Sequence, residues 1–402
     1  MKVLNLYSLL LVVSSSLLLG EGITTTLDDY ISENKKQQFD YDYKNNKTQS
    51  SLLRDSWISP INIQYTYSKS NQFDVVGFNE SAAIRIDQAL FQSGGIFYAI
   101  KFANASEKYN NLSIDTAKRK MIKDTVSLLM QIKQTDLKIQ KQNLKIKNAQ
   151  INLELKKEQY LTGQLDSGFL DNAIIEKNTI TQALYDIETS KQGLISTFKT
   201  LSDLEYETTA IPHLNFIKKE DFLKNNLRID VAKMQIQKDL HNQDVTLAKY
   251  LPKINVTAGY NWSNSDSPFN FGKNEKKYYD YGFRVVLPIS ISTLDEIQVA
   301  KVSYLKSKRV VIDKEKEVLA IFEQVIQNID NIDRKKSLSL ENKNLYSKLL
   351  ADTKELFTAG YKTSYDVSLL ENSFIIAGID EKIYELDKQL ELLTLYEMYS
   401  HE

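Results

Sequence analysis

The sequence predicts an α+β membrane protein, internally duplicated, in which four strands per chain combine across several chains, three of which would give a 12-stranded transmembrane β-barrel, continued by a long α-helical barrel. Three observations predict it. A stretch of about 65 residues, Ile96 to Tyr160, contains no Gly or Pro and carries two heptad series of apolar residues. Segments of alternating apolar and polar residues with aromatic ends precede that stretch and a second one like it. The whole order of elements recurs after roughly 195 residues.

The N-terminus, 1–22, has Lys2, an apolar run from Leu9 to Leu19 broken by serines, and then small residues, which predicts a secretory signal peptide. The formal net charge is −1 with 26% charged residues, so there is no electrostatic case for a nucleic-acid partner. The absence of Cys excludes disulfides, thiol catalysis and an N-terminal lipid anchor. His213, His241 and His401 lie far apart and form no metal-ligand pattern, and no cofactor is expected.

The first repeat is expected over 23–212. A polar helical segment reaches residue 56, and Pro60 interrupts it. A strand over 57–68 follows, with Ile61, Ile63, Tyr65 and Tyr67 alternating with polar residues. The return strand, 81–91, carries Ala82, Ile84, Ile86 and Leu90 on one side and Arg85 and Asp87 on the other. Ser93-Gly94-Gly95 turns the corner into the long helix, 96–160. There Ile132, Ile139, Ile146, Leu153 and Tyr160 recur every seven residues, as do Met130, Leu137, Leu144 and Ile151. The two series are about 200° apart around the helix, so the rod needs a neighbour on each side, like a stave. Leu161-Thr162-Gly163-Gln164-Leu165 then forms a tight turn into a helix over 168–206.

The second repeat is expected over 213–402. It has a helix at 220–251, strands at 254–263 and 278–291, a long helix at 295–359 and a last helix at 363–400. Thr358-Ala359-Gly360-Tyr361 repeats the turn. Tyr65, Tyr67, Tyr260, Trp262, Tyr279 and Tyr281 cluster beside the hairpin loops, as an interfacial girdle in outer-membrane lipid would. Four strands cannot close a membrane barrel, and open edges do not survive in lipid, so closure requires several chains.

The ordering of these parts, with Leu251-Pro252 before a strand and Ile291-Ser292 before a long helix, resembles the TolC-like outer-membrane efflux proteins over essentially the whole mature chain. The resemblance implies a homotrimer in the bacterial outer membrane with its helical barrel in the periplasm. It implies an exit duct for efflux or secretion, docked to a periplasmic adaptor (membrane fusion) protein and an inner-membrane pump of the RND, ABC or similar class. It also implies that the two helical turns form the periplasmic tip, where the tube closes and the adaptor engages. Docking would fall on Leu161 to Leu165 and on Thr358, Ala359, Gly360 and Tyr361. The family pattern places a constriction carboxylate six residues after the turn glycine, here Asp366, and a basic residue two after it, here Lys362. The family's tyrosine three before that glycine is Phe357 here, and in the first repeat the position six after Gly163 is Phe169, with Asp171 two further on. The family's hydrogen-bond network at the gate therefore does not carry over intact. A periplasmic coiled-coil scaffold with a soluble sheet is the alternative, and no motif supports an enzyme.

Overall fold

The computed structural model describes residues 27–71, 76–266 and 274–400. The expected signal peptide lies outside the described residues. A short 3-10 turn, Leu27–Tyr30, leads into α1 (Glu33–Asp55), the hairpin of β1 (Asn62–Ser70) and β2 (Gly77–Phe91), and the 67-residue helix α2 (Gly95–Leu161). Then come α3 (Ser167–Leu201), α4 (Lys219–Lys224), α5 (Leu227–Lys249), β3 (Lys253–Asp266) and β4 (Asn274–Val286), α6 (Thr293–Thr358) and α7 (Ser364–Met398). At 1.5 Å per residue α2 and α6 are each ~100 Å long. Among the described residues no helix is long and apolar enough to cross a membrane.

α2 packs against α3 and α7 over its distal part, and α1 and α5 also lie against it; α6 packs on α5 and α7. Met130 and Ile132, one from each apolar series, are both fully buried. The core lies where these helices meet the irregular segment 202–218. There Phe198, Phe222, Leu129, Val318, Phe322, Leu393 and Met398 pack, with the Phe222 and Phe322 rings 5.3 Å apart. Burying side chains of this size contributes ~2–3 kcal/mol each.

The sheet is antiparallel with order β1-β2-β3-β4, so the second strand of one hairpin pairs with the first strand of the other. Its extents correct the sequence expectation. The ladder begins at Asn62 rather than at residue 57, because Pro60 has no N–H to give. β2 starts at Gly77, and β3 and β4 pair out to Ser265 and Asn274, because polar residues ladder as well as apolar ones when their backbones are opposed. β4 stops at Val286, opposite the first residue of β3, so 287–291 lies outside the ladder.

Two helices also differ. The segment expected as one helix over 220–251 is two, broken at Asn225 and Asn226. The fully buried Asn226 caps α5, its Oδ1 accepting from Arg228 N–H (3.1 Å) and Ile229 N–H (3.3 Å). The same residue bridges to Tyr399, which turns the chain away from α7. α3 ends at Leu201 rather than 206. Ser202 is extended there, and the Leu201 carbonyl accepts the Ser32 N–H at 2.8 Å instead of continuing the helix.

Candidate functional site

The sheet has two unlike faces. Cross-strand register lines up Ile63, Ile84, Tyr260 and Tyr279 in one row, and Val256 with Phe283 and Ile254 with Val285 in others. These residues form one apolar face that nothing among the described residues covers: Tyr281 is 81% exposed and Phe283 77%. The expected girdle residues share this face. Tyr260 and Tyr279 are direct partners, and the Tyr279 and Tyr281 rings stack at 6.4 Å. Trp262, beside Tyr260 toward the loop end, donates its indole N–H to Glu275 at 2.8 Å, so its apolar body and polar edge face different surroundings. Tyr65 sits opposite Ala82 and Tyr67 opposite Glu80.

The opposite face is a hydrogen-bonded polar network. Arg85 donates to the Asn261 carbonyl oxygen (3.1 Å), and the Asn261 amide donates to Asp280 (2.8 Å). Asn255 donates to Asp87 (2.8 Å), which also pairs with Arg284. Gly259 is the register partner of Asp280, and a Cβ there would lie 2.9 Å from the Asp280 carboxylate. The sequence reading placed Arg85 and Asp87 on a polar side but not their partners, which lie about 170 to 200 residues away and leave no local signal.

At the far end of the rods both turns have the same backbone. Gly163 (φ 74°) and Gly360 (φ 82°) take the left-handed conformation that ends a helix. Gln164 N–H bonds back to the Gln159 carbonyl (2.8 Å), and Tyr361 N–H to that of Leu356 (2.9 Å). Space does not select glycine here, because a Cβ at either position meets nothing within 4 Å; backbone angle does. Leu161, Tyr361, Phe169 and Phe357 are all exposed, as are Thr162, Gln164, Thr358, Ala359 and Asp171, while Leu165 is half-buried.

Asp366 has a definite local task. It is the third residue of a capping box: its carboxylate accepts from the Thr363 N–H and hydroxyl, both at 2.9 Å, and Thr363 Oγ1 accepts the Asp366 N–H at 3.3 Å. Those bonds from Thr363 hold its carboxyl below the usual Asp range, with the Lys362 ammonium, 4.0 Å away, adding to them. The hydrogen bonds at each turn stay within that turn.

Between sheet and tips, polar contacts fix the staves. α7 is tied to α2 by Lys141–Asp380 (2.5 Å) and Asn372–Asn148 (2.7 Å), and to α6 by Lys343–Glu381 (3.0 Å) and Lys354–Glu371 (2.7 Å). On the other flank of α2, Lys191 pairs with Asp136 at 2.7 Å, which raises the Lys191 ammonium above its ordinary value. The outer flanks of α3 and α6 stay open and apolar, with Ile175 and Tyr185 on one and Val299, Val302 and Leu345 on the other.

No protein-family model and no curated protein sequence matches the chain. Solved structures do. VceC, an outer membrane protein of Vibrio cholerae, superposes with a TM-score of 0.70 at 12% identity, over 93% of this chain and 95% of that one. The CmeC outer membrane channel of Campylobacter jejuni gives 0.71 at 12% identity, over 94% and 86%. The open state of the Neisseria gonorrhoeae MtrE outer membrane channel gives 0.62 at 14%, over 92% and 87%. With four antiparallel strands on ~100 Å helical staves, this chain shares the fold of these outer-membrane channels, the fold that its resemblance to TolC-like proteins implies.

Proposed function

We propose that this chain is the outer-membrane exit duct of a tripartite efflux or type I secretion system. Three copies close a 12-stranded barrel through the outer membrane, and their duplicated helices form a tube across the periplasm. The observation that carries this reading is the uncovered apolar face on a sheet whose two edges, β1 and β4, are both unpaired. In lipid such edges must be closed by further strands, and the described residues hold none beyond these four. The open apolar flanks of α3 and α6 make the same demand on the helices.

In this reading the duct does no covalent chemistry, and a pump supplies the energy. The two turns form the periplasmic tip. Leu161 to Leu165 and Thr358 to Tyr361 present apolar side chains and helix-end backbone to an adaptor. Three Asp366 carboxylates, with Lys362 beside them, form the constriction. Phe357 and Phe169, lacking hydroxyls, close it by packing, with Asp171 near them.

Negative-stain microscopy of protein extracted from outer membranes in mild detergent tests the whole. Hollow three-fold particles with a stalk on the order of 100 Å are expected. Soluble, solid or dimeric particles would overturn the duct.

A further inference from the structure

Resting on the trimeric reading, we infer the register at which neighbouring chains pair: β4 of one copy lies against β1 of the next with Phe283 opposite the partner's Tyr65. The sheet itself is a staircase. In the row Ile63–Ile84–Tyr260–Tyr279, β1 continues only one residue on the helix side, to Asn62, whereas β4 continues seven, to Val286. The next β1 must therefore be stepped toward the helices, or the last third of β4 faces lipid unpaired.

Barrel geometry gives the size of the step. Strands spaced ~4.8 Å apart, rising ~3.3 Å per residue and tilted ~35–45°, slip by about 12 to 18 residues around twelve strands. That is about four to six residues per chain, and the step must be even to keep apolar side chains on the lipid face.

A step of six fits the residues. It sets Tyr281 against the partner's Tyr67, Phe283 against the partner's Tyr65 and Val285 against the partner's Ile63, all on the apolar face. Both ladders then end together, Val286 opposite the partner's Asn62. Pro288 meets the partner's Pro60 two residues on, where neither residue has an N–H to give. A step of four would set Val286 against Pro60 instead. No step at all would place Lys277 and Glu275 against tyrosines and leave Phe283 and Val285 without partners.

The chain has no Cys, so introduced thiols report without background. Two double variants test the register, Tyr65→Cys with Phe283→Cys on the apolar face and Thr66→Cys with Gly282→Cys on the polar face. Adjacent antiparallel pairs alternate in spacing, so one of these two suits a disulfide. Within one chain the paired positions are three strands apart, ~14 Å, too far to link. Covalent dimers and trimers on a non-reducing denaturing gel are expected, with single-Cys variants unlinked. Stronger linkage from Ile63→Cys with Phe283→Cys, the four-residue step, would overturn the register. So would no linkage in any pair while an unheated gel still shows the trimer, an outcome that leaves the duct standing. Loss of the trimer from the cysteine-free parent would remove the duct reading and the register with it.

Discussion

Val285→Arg is the sharpest perturbation of the strand face. Val285 pairs with Ile254 one residue from the helix-side end of the ladder, and is the middle member of the exposed alternating series Tyr279, Tyr281, Phe283, Val285, Leu287, Ile289 and Ile291, whose last three members continue past the ladder. An arginine facing lipid in a membrane barrel costs up to ~2–4 kcal/mol, the value at the bilayer midplane. Three copies raise the midplane value to ~6–12 kcal/mol per trimer, a factor of roughly 10^4 or more in the assembly equilibrium. The chain carries its own contrast, since Arg284, one residue away, lies on the polar face paired with Asp87. Thr257→Arg, placed on that polar face opposite Gly282, is the control. The assay is an unheated gel of outer-membrane fractions, in which the trimer runs intact. Val285→Arg should abolish the trimer band and Thr257→Arg should keep it. Wild-type trimer from Val285→Arg, or equal loss from both, would refute the assignment of faces.

At the tip, Asp366→Asn should weaken block of the reconstituted channel by multivalent cations several-fold; unchanged block would remove Asp366 from the pore. Thr363→Ala should cost about 1 kcal/mol in thermal unfolding by deleting the cap. Because Thr363 lowers the Asp366 carboxyl, the stability it contributes is complete above the ordinary Asp value, ~4, and fades as pH falls through its lowered value. Wild type and Asp366→Asn should therefore converge in melting temperature only in strong acid. Gly360→Ala should cost ~1–2 kcal/mol from backbone angle alone, with no clash to relieve, and protease sensitivity at the turn reads it. Phe198→Ala, at a fully buried site, should cost ~3–5 kcal/mol in denaturant unfolding, far more than any tip substitution.

The long helices were legible because an uninterrupted helix needs only the absence of Gly and Pro, and their ends are written in Gly163 and Gly360. The strand faces were legible because side chains alternate whatever the partner. Strand extents were not: Asn264 to Asp266 look like a loop, and only the opposed backbones of β2 and β4 make them a ladder. The break at Asn226 was hidden for a like reason. Asparagine sits unremarked in a helical pattern until Tyr399, far along the chain, bridges to it. The capping box had a visible signal, Thr363 three residues before Asp366. That spacing fixes a local bond, whereas a carboxylate's place in a pore depends on chains that one sequence does not display.

The centre of the sheet is where its two hairpins meet, with Arg85 opposite Gly259, 174 residues later in the chain. Everything from α2 to α5 lies between them, so this pairing closes a very long loop. The first hairpin is synthesised before its partner strand exists. Until then it is a two-stranded ribbon with unpaired edges, a substrate for aggregation and for chaperones. On the duct reading, a truncation anywhere ahead of β3 leaves a lone hairpin whose strands cannot enter a bilayer. The timing of membrane insertion is thereby tied to delivery of the second half of the polypeptide.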